Sequence, residues 1–349
     1  MINVDLPEEE LKDKPLVTIV ITSYNRADTI SRAIESAIAQ DYSNLEILIS
    51  DNHSTDNSME IISRYSNDPR VKISRNSSNI GMVPNFRKAT HELAKGKYIT
   101  YVSSDDYLCD NRFISDAISL TLKYPDVLLV FGKNRMIMDK KDIVGQTDEK
   151  PFWLKDFFIG KEVFFGYVKN SWLSFAACLI RRHELIDLKP FDDESIGKDI
   201  EVNLKLLLQG NACFINRFCY VQEIHLKNAS MEVDARKKIE VVQGCFEEVY
   251  RFALAQFPAD KIILDEWRNE VLTIYFKQIL ISLKITNERE FKILLRFAKE
   301  HYYAIYSKIN RDLRWKLMKA LYHPVLFPVL RVLSPKRYDY FKRRSNLIS

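Results

Sequence analysis

The sequence predicts an α/β fold in which a Rossmann-like, mostly parallel sheet is flanked by helices and followed by a helical carboxy-terminal region. Over the first hundred residues, apolar β-branched segments alternate with amphipathic helical patterns, and each apolar segment ends in polar residues. From about residue 230 onward the pattern is helical almost throughout. A βαβαβαβ order implies parallel strands with right-handed crossovers, because that hand packs each helix back onto the sheet.

The elements follow in order from the amino terminus. Residues 16–22 are apolar and β-branched, as expected for a strand buried on both faces. A helix is predicted over 29–40, capped by Asp28, with its apolar residues on one stripe. The alternation continues with strand 45–50, helix 57–65, strand 71–74, helix 85–94 and strand 98–102. Beyond residue 106 we predict helix 113–123, strand 127–131, strand 174–181 and helix 199–209.

Three segments are predicted: an extension over 1–14, an α/β domain over 15–229 and a helical region over 230–349. Glycine accounts for 9 of 349 residues, below the usual share of about 7%, which excludes collagen-like and linker-rich chains. No apolar run approaches the roughly 18 residues of a membrane-spanning helix. The start MINVDLPEEELKDK is acidic, where a secretory signal has a basic start and an apolar core, so we expect a cytoplasmic protein.

The formal charge of +5 is unevenly distributed. Residues 291–349 contain 14 Lys and Arg against 3 Asp and Glu, a net charge of +11, so the rest of the chain is acidic. Aromatic residues are interspersed with these cations, as in helices that lie in the headgroup region of a bilayer. We therefore expect the tail to attach the protein peripherally to an anionic membrane surface, the inner leaflet, rather than to nucleic acid.

Polar residues stand at the predicted strand ends, where open parallel sheets bind ligands. Asp51 and Asp105 directly follow buried strands, where a carboxylate needs a partner or a ligand. The chain has no GxGxxG and no GxxxxGK[ST], so a diphosphate would need another source of positive charge. Adjacent Asp105 and Asp106 favour a divalent cation, Mg²⁺ or Mn²⁺. We interpret several neighbouring residues as turn formers: Asn52, Ser54, Asp56, Asn76 and Ser77.

Several segments together resemble the family-2 glycosyltransferases, which have the GT-A fold. They are TIVITSYNRADT, ILISDNHSTDNS, NIGMVPNF and YITYVSSDDYL, in that order, between about residues 15 and 108. A weaker match continues through GKDIEVNLKLLLQG to about residue 210. The chain most resembles the enzymes of bacterial surface polysaccharides. The resemblance implies that 15–229 is a catalytic domain that uses a nucleotide-sugar donor.

The resemblance also implies roles for individual residues. Asp51 would accept the imide N–H of a uracil or thymine base, and Asp106 would bind the acceptor. The family's D-x-D motif falls on Ser103, Ser104 and Asp105, so Asp105 is the implied metal ligand although Ser103 replaces the first carboxylate. His225 is a second, weaker metal candidate. The remaining implied donor-binding residues are Thr22, Tyr24, Asn25, Asn79, Asn85 and Ser104.

The family's general base falls on Asp199. An inverting sugar transfer needs a carboxylate to take the proton of the acceptor hydroxyl as it attacks the anomeric carbon. Asp199 also fits the cap of the predicted helix 199–209. Lys198 stands where the family usually has Glu, and its charge is expected to favour an ionised Asp199.

These features favour a metal-dependent, inverting transferase that moves a sugar from a UDP- or dTDP-sugar to a hydroxyl of a glycan or lipid-linked acceptor. Two alternatives stay open. A nucleotidyltransferase shares the architecture and the metal carboxylate, but SYNRADT lacks the basic, Gly-rich loop that binds a triphosphate. A non-catalytic nucleotide-sugar-binding module on the same fold is supported by Ser103 and Lys198.

Overall fold

The computed structural model describes residues 14–138, 141–145, 155–167, 176–191, 198–224, 235–286 and 288–311. The chain divides into two compact units, Met1–Glu223 and Ile224–Ser349. The first unit contains the sheet and the second is helical, so the α/β class predicted from the sequence is confirmed. The predicted boundary lay slightly later, between residues 229 and 230.

The strands of the first unit form one mixed sheet in the described residues. They are β1 (Val17–Ser23), β2 (Leu45–Asp51), β3 (Val71–Arg75), β4 (Tyr98–Ser103), β5 (Tyr107–Leu108), β6 (Val127–Met138), β7 (Lys141–Gly145), β8 (Phe157–Phe158), β9 (Cys178–Arg181) and β10 (Asn211–Glu223). Their order is β3-β2-β1-β4-β9-β6-β10-β5, with β7 paired to β6 and β8 to β10. The strands β1 to β4, β6 and β10 point the same way, whereas β9 and β5 run against them.

Helices flank this sheet and connect its strands. They are α1 (Ile30–Ile38), α2 (Ser58–Ser63), α3 (Met82–Lys88), α4 (Phe113–Lys123), α5 (Gly160–Gly166), α6 (Arg182–Asp187) and α7 (Lys198–Gln209). A π-helical turn, Ala89–Leu93, extends α3 and completes the helix predicted over 85–94. Helix α1 begins at Ile30 without a side-chain cap. The prediction that Asp28 caps it was therefore wrong.

The core of the first unit explains why these segments form these elements. Every residue of β2 is buried, and all but one of β1 are, which is the environment their apolar β-branched sequences require. The stripe of α1 buries Ile30, Ala33, Ile34 and Ala37 against them. The same hydrophobic cluster continues through Phe113 of α4 to Tyr220 of β10. This packing holds the strand ends, and the loops that follow them, in fixed positions.

The second unit consists of helices in its described part. They are α8 (Ala235–Gln256), α9 (Lys261–Thr286), α10 (Glu288–His301) and α11 (Tyr303–Arg311), with a short 3₁₀ turn at Pro258–Asp260. Aromatic side chains join them: the rings of Phe246 and Trp267 lie 6.1 Å apart, and those of Phe276 and Tyr302 lie 5.1 Å apart. Among the described helices, none is both long enough and apolar enough to cross a bilayer.

Candidate active site

Strand register brings the predicted site residues to one edge of the sheet. Ser23 of β1 lies beside Asp51 of β2, and Asp51 lies beside Arg75 of β3. On the other side of β1, Thr22 lies beside Ser103 of β4. The carboxyl ends of four parallel strands therefore meet here, as the alternating pattern predicted.

Asp51 is fully enclosed at this edge. Its carboxylate accepts a hydrogen bond from the backbone N–H of Ser54 at 3.0 Å and from the Ser54 hydroxyl at 2.5 Å. Arg75 Nε lies 3.5 Å from Oδ2. The Asp51 side chain has no exposed surface, so these contacts hold it inside the protein. Its contact with a base stays a prediction.

The loops after β1 and β2 are tied together by hydrogen bonds. Asn25 has a left-handed backbone with a φ of 51°, a conformation that asparagine tolerates better than most residues. Its side-chain oxygen accepts the backbone N–H of Thr55 at 2.8 Å, and its own N–H donates to the Ser54 hydroxyl at 2.9 Å. Asn25 thus shapes the loop through contacts inside the protein. Tyr24, just before it, is exposed at the edge, and Thr22 is half-buried.

A network of asparagine side chains fixes the loop after β3. Asn85 is buried, accepts hydrogen bonds from the Ser50 hydroxyl at 2.8 Å and from Asn76 at 2.9 Å, and donates to the Ser50 carbonyl. Asn52 donates to the side-chain oxygen of exposed Asn79 at 2.7 Å. The described contacts of Asn85 and Asn79 therefore hold the loop. Their roles toward a donor stay predictions.

The two adjacent aspartates after β4 have different surroundings. Asp106 is buried and accepts the Tyr220 hydroxyl at 2.8 Å and the backbone N–H of Glu223 at 2.8 Å. Burial, together with the nearby charge of Asp105, raises the pKa of Asp106 to about 7. Tyr220 also accepts the backbone N–H of Ser103 at 3.1 Å. Asp106 thus anchors the loop to β10, and its predicted contact with an acceptor stays a prediction.

Asp105 is the carboxylate of this loop that retains some side-chain exposure, 11%. Its backbone carbonyl accepts a hydrogen bond from Arg32 of α1 at 3.1 Å. Arg32 in turn pairs with Glu223 at 2.6 Å and lies over the Tyr107 ring. The Asp105 carboxylate lies 3.7 Å from Nε of Arg26. Arg32 thus holds the backbone of Asp105, while its carboxylate faces Arg26. Ser104, beside it, is buried.

The described residues contain no group of three or more His, Cys, Asp or Glu that could hold a metal ion. Asp106 is bound to β10, whereas Asp105, beside it in the same loop, keeps 11% side-chain exposure. Mg²⁺ and Mn²⁺ accept such a site, since they commonly take one or two carboxylates and obtain their other ligands from substrate phosphates and water. The donor set therefore fits a cation that arrives with a diphosphate. The second predicted ligand, His225, lies outside the described residues.

Chain direction predicts that Asp199 lies toward the same edge. Helix α7 packs against β6 and ends at Gln209, and β10 begins at Asn211 on the opposite, amino-terminal edge of the sheet. Because the chain reverses between α7 and β10, we expect the first turn of α7 toward the carboxyl edge. Asp199 is exposed there, yet the protein around its carboxyl withdraws enough water to raise its pKa above the ordinary value of an aspartate.

The expected influence of Lys198 on Asp199 was wrong. The Lys198 ammonium lies 2.9 Å from Oε2 of Glu201, and Lys205 lies 2.6 Å from Oε1 of the same buried carboxylate. The charge of Lys198 is therefore compensated by Glu201, and the pKa of Asp199 rises instead of falling. The i+3 spacing of Lys198 and Glu201 on a helix could have indicated this pair.

Sequence reasoning missed the residues that support Asp105 and Asp106. They are Arg26, Arg32, Tyr220 and Glu223. Tyr220 and Glu223 lie more than 110 positions from Asp106 in the chain, so no local pattern connects them. Arg26 stood in the SYNRADT motif and carried a usable signal, because it is a cation directly after a strand-end loop.

Comparison with known proteins agrees with this geometry. Residues 18–182 match the family described as Glycosyl transferase family 2. The chain is 27% identical over 315 residues to a chondroitin synthase of Pasteurella multocida, across 86% of this chain and 31% of that protein. It is 35% identical over 129 residues to an Escherichia coli protein, the UDP-Glc:alpha-D-GlcNAc-diphosphoundecaprenol beta-1,3-glucosyltransferase WfaP, across 37% of this chain and 49% of that protein.

Solved structures share the fold. Staphylococcus aureus TarS 1–349 in complex with UDP-GlcNAc superposes with a TM-score of 0.64 at 18% identity, covering 95% of this chain and 90% of that one. The mannosyltransferase PcManGT of Pyrobaculum calidifontis, in complex with GDP-Man and Mn²⁺, superposes with a TM-score of 0.54 at 15% identity. The match covers 93% of this chain and 88% of that one. At these identities the likeness shows the fold, which is GT-A-like.

The sheet, its polar edge and the matched family together define a glycosyltransferase domain. Residues 18–182 form a glycosyl transferase family 2 domain, whose homologues are bacterial polysaccharide glycosyltransferases. The family resemblance inferred from the sequence is thereby confirmed. The chain spans about a third of the length of the first curated relatives it matches.

Proposed function

We propose that this protein is an inverting, metal-dependent glycosyltransferase of bacterial surface-polysaccharide synthesis. It transfers a sugar from a nucleotide donor to a hydroxyl of a glycan or lipid-linked acceptor. The observation that carries the proposal is the strand register that brings the ends of β2 and β4, with Asp51 and Asp105, to the carboxyl edge of a family 2 domain; chain direction predicts the start of α7, with Asp199, toward the same edge. These groups supply, in turn, base recognition, leaving-group stabilisation and proton removal.

Asp199 is the proposed general base. Its carboxylate takes the proton of the acceptor hydroxyl, and its raised pKa brings it closer to the pKa that makes proton transfer efficient near neutral pH. An inverting transfer needs a single carboxylate base and no second acid on the protein. Its position in the first turn of α7 holds the carboxylate on a rigid element.

Asp105 would hold a Mn²⁺ or Mg²⁺ ion that arrives with the donor diphosphate. When bound, such an ion stabilises the charge of the departing nucleoside diphosphate. The protein's own contribution is to fix the Asp105 loop through Arg32 and Tyr220. Mn²⁺ in the PcManGT complex supports the choice of metal.

A UDP- or dTDP-sugar is the proposed donor class. Asp51 can accept the single imide N–H that uracil and thymine share, and TarS, which has the same fold, was crystallised with UDP-GlcNAc. A lipid-linked acceptor is supported by the diphosphoundecaprenol acceptor named for WfaP. Such an acceptor would be presented at a membrane surface.

Peripheral membrane attachment through the basic tail is part of this proposal. The residues concerned, 312–349, lie outside the described residues, so the argument rests on their composition. Each cation near an anionic surface contributes about 1 kcal/mol. Flotation with anionic and neutral vesicles tests it, with the full chain compared with a version that ends at Asn310. We expect the full chain alone to float with anionic vesicles at low salt, and equal recovery of both in the unbound fraction would contradict the proposal.

The enzymatic proposal is tested by incubating the protein with a panel of nucleotide sugars. Each incubation is done once with Mn²⁺ and once with EDTA. A glycosyltransferase releases nucleoside diphosphate slowly from its own donor even without acceptor, because water can replace the acceptor hydroxyl. A binding module would show a thermal shift with the donor but no release. A nucleotidyltransferase would instead release pyrophosphate from a nucleoside triphosphate and a sugar phosphate.

A further inference from the structure

Arg26 is a cation at the candidate donor site to which neither the family motif nor the proposed mechanism gives a role. It follows Asn25 in the loop between β1 and α1. Its Nε lies 3.7 Å from Oδ2 of Asp105, an ion-pair distance longer than a hydrogen bond. Its NH1 group donates to the carbonyls of Tyr24 at 3.4 Å and Asn25 at 3.2 Å. The guanidinium thus lies between the β1 loop and the proposed metal ligand.

Two other arginines at this edge are engaged by other partners. Arg32 pairs with Glu223 at 2.6 Å and donates to the Asp105 carbonyl. Arg75 donates to the Ser54 carbonyl at 2.8 Å and lies 3.5 Å from Asp51. The guanidinium of Arg26 lies 3.7 Å from the Asp105 carboxylate, whereas Arg32 contacts Asp105 through its backbone carbonyl.

The diphosphate of a nucleotide sugar needs such a cation. The chain lacks the glycine-lined backbone cradles that bind phosphates elsewhere, and Ser103 replaces one carboxylate of the metal motif. A guanidinium offers a planar fork of donors that matches phosphate oxygens, which an ammonium does not. Arg26 has this chemistry beside Asp105.

We propose that Arg26 is a donor-binding residue that pairs with Asp105 when the donor is absent and with a diphosphate oxygen when the donor is bound. The inference rests on the proposed function, because it assumes a nucleoside diphosphate at this edge. It assigns the same carboxylate two alternative partners, the arginine and the cation. Arg26 therefore opposes cation binding in the empty protein and favours donor binding in the loaded one.

This exchange predicts effects of opposite sign for one substitution. In Arg26→Gln the competitor for Asp105 is lost, so Mn²⁺ alone should bind as tightly as in the wild type or several-fold more tightly. The nucleoside diphosphate loses a charged hydrogen bond, which corresponds to about 10- to 100-fold weaker binding. A residue that only stabilised the loop would weaken both.

The experiment measures binding and not turnover. Free Mn²⁺ is titrated with protein by electron paramagnetic resonance, and UDP, dTDP and GDP are titrated by calorimetry at saturating Mn²⁺. The full-length wild type is compared with Arg26→Gln, with Arg26→Lys, which keeps the charge but not the fork, and with Arg64→Gln. Arg64 forms an exposed pair with Glu60 and serves as the matched control. Thermal unfolding verifies that each variant is folded.

We expect Arg26→Gln to weaken nucleoside diphosphate binding while Mn²⁺ binding stays equal or becomes tighter. Arg26→Lys should show a smaller loss of diphosphate affinity, and Arg64→Gln should match the wild type. Parallel weakening of Mn²⁺ and diphosphate binding in Arg26→Gln would overturn the inference, and so would unchanged diphosphate binding. If the wild type itself bound none of the three nucleotides, the proposed function would fail instead. The two failures are therefore distinguishable.

Discussion

The two edges of the sheet differ in how they use charged side chains. The amino-terminal edge has a cavity of about 600 Å³ lined by charged residues, among them Arg181 and Glu184. There Arg181 donates to the carbonyls of Pro125 and Val127 and pairs with Glu184 at 3.5 Å. These contacts satisfy the backbone where β6 begins. At the carboxyl edge, by contrast, the Asp105 carboxylate faces Arg26.

The difference shows that cavity volume does not locate the candidate site in this protein. Strand direction does, because each crossover of a parallel sheet leaves a loop at the carboxyl edge. Asp51 ends β2, and Asp105 lies in the loop after β4 at that edge. The following predictions test this contrast between the edges.

The largest effect is expected from Asp199→Asn, which removes the proposed base but keeps the size of the side chain. Turnover should fall by about 10² to 10⁴, whereas donor affinity should stay near the wild-type value. Asp187→Asn, an exposed aspartate at the amino-terminal edge, is the control and should leave transfer unchanged. Near-full activity of Asp199→Asn would show that Asp199 is not the base. The contrast between the two edges of the sheet would then not hold.

The same residue predicts the pH dependence of turnover. Asp199 acts in its ionised form, so activity is lost as the pH falls through its pKa. Since that pKa is raised, the acid limb of kcat should lie above the ordinary aspartate value of about 3.9. A kcat profile measured at saturating donor and acceptor checks this, and an acid limb at or below pH 4 would contradict it.

Asp105→Ala should have the next largest effect. Nucleoside diphosphate binding in the presence of Mn²⁺ should weaken about 10- to 100-fold, because a charged ligand is lost. The free energy of unfolding should change by less than about 1 kcal/mol, since the ion pair of its carboxylate with Arg26 is long, 3.7 Å, and partly exposed. Calorimetric titration and urea unfolding check the two parts. Retained Mn²⁺-dependent binding would mean that another residue holds the metal.

A smaller effect is expected where Tyr220 holds Asp106. Tyr220→Phe keeps the ring but deprives buried Asp106 and the Ser103 N–H of a partner, which should lower the free energy of unfolding by about 1 to 3 kcal/mol. Tyr65→Phe is the matched control, because its hydroxyl also donates to a carboxylate at 2.8 Å but in an exposed position. Equal losses in both variants would show that burial is not the cause.

The smallest effect is expected at the amino-terminal edge. Glu184→Gln weakens a partly exposed pair with Arg181, a contact that typically contributes less than about 1 kcal/mol. Nucleotide binding and turnover should stay at wild-type values. A loss of turnover above about tenfold would assign the cavity a part in the reaction and end the contrast between the edges.

The first four strands could be predicted within one residue at either end. They are buried apolar runs bounded by polar loops, and that pattern is local. The long strand β10 was missed for an equally local reason. Its pairing with β6 has register shifts between Ile215 and Phe218 and again between Phe218 and Tyr220. Such bulges interrupt the period-2 alternation that identifies a strand.

The sequence by itself determined which polar residues stand at strand ends, because strand direction and the βα order follow from periodicity along the chain. It therefore placed Asp51 and Asp105 at one edge. Only the tertiary structure decided which of two adjacent aspartates is the anchor, because β10 brings Tyr220 and the Glu223 backbone to Asp106. It likewise paired Lys198 with Glu201 instead of Asp199. A carboxylate's role depends on the donors that packing brings to it, and these come from elements remote in the chain.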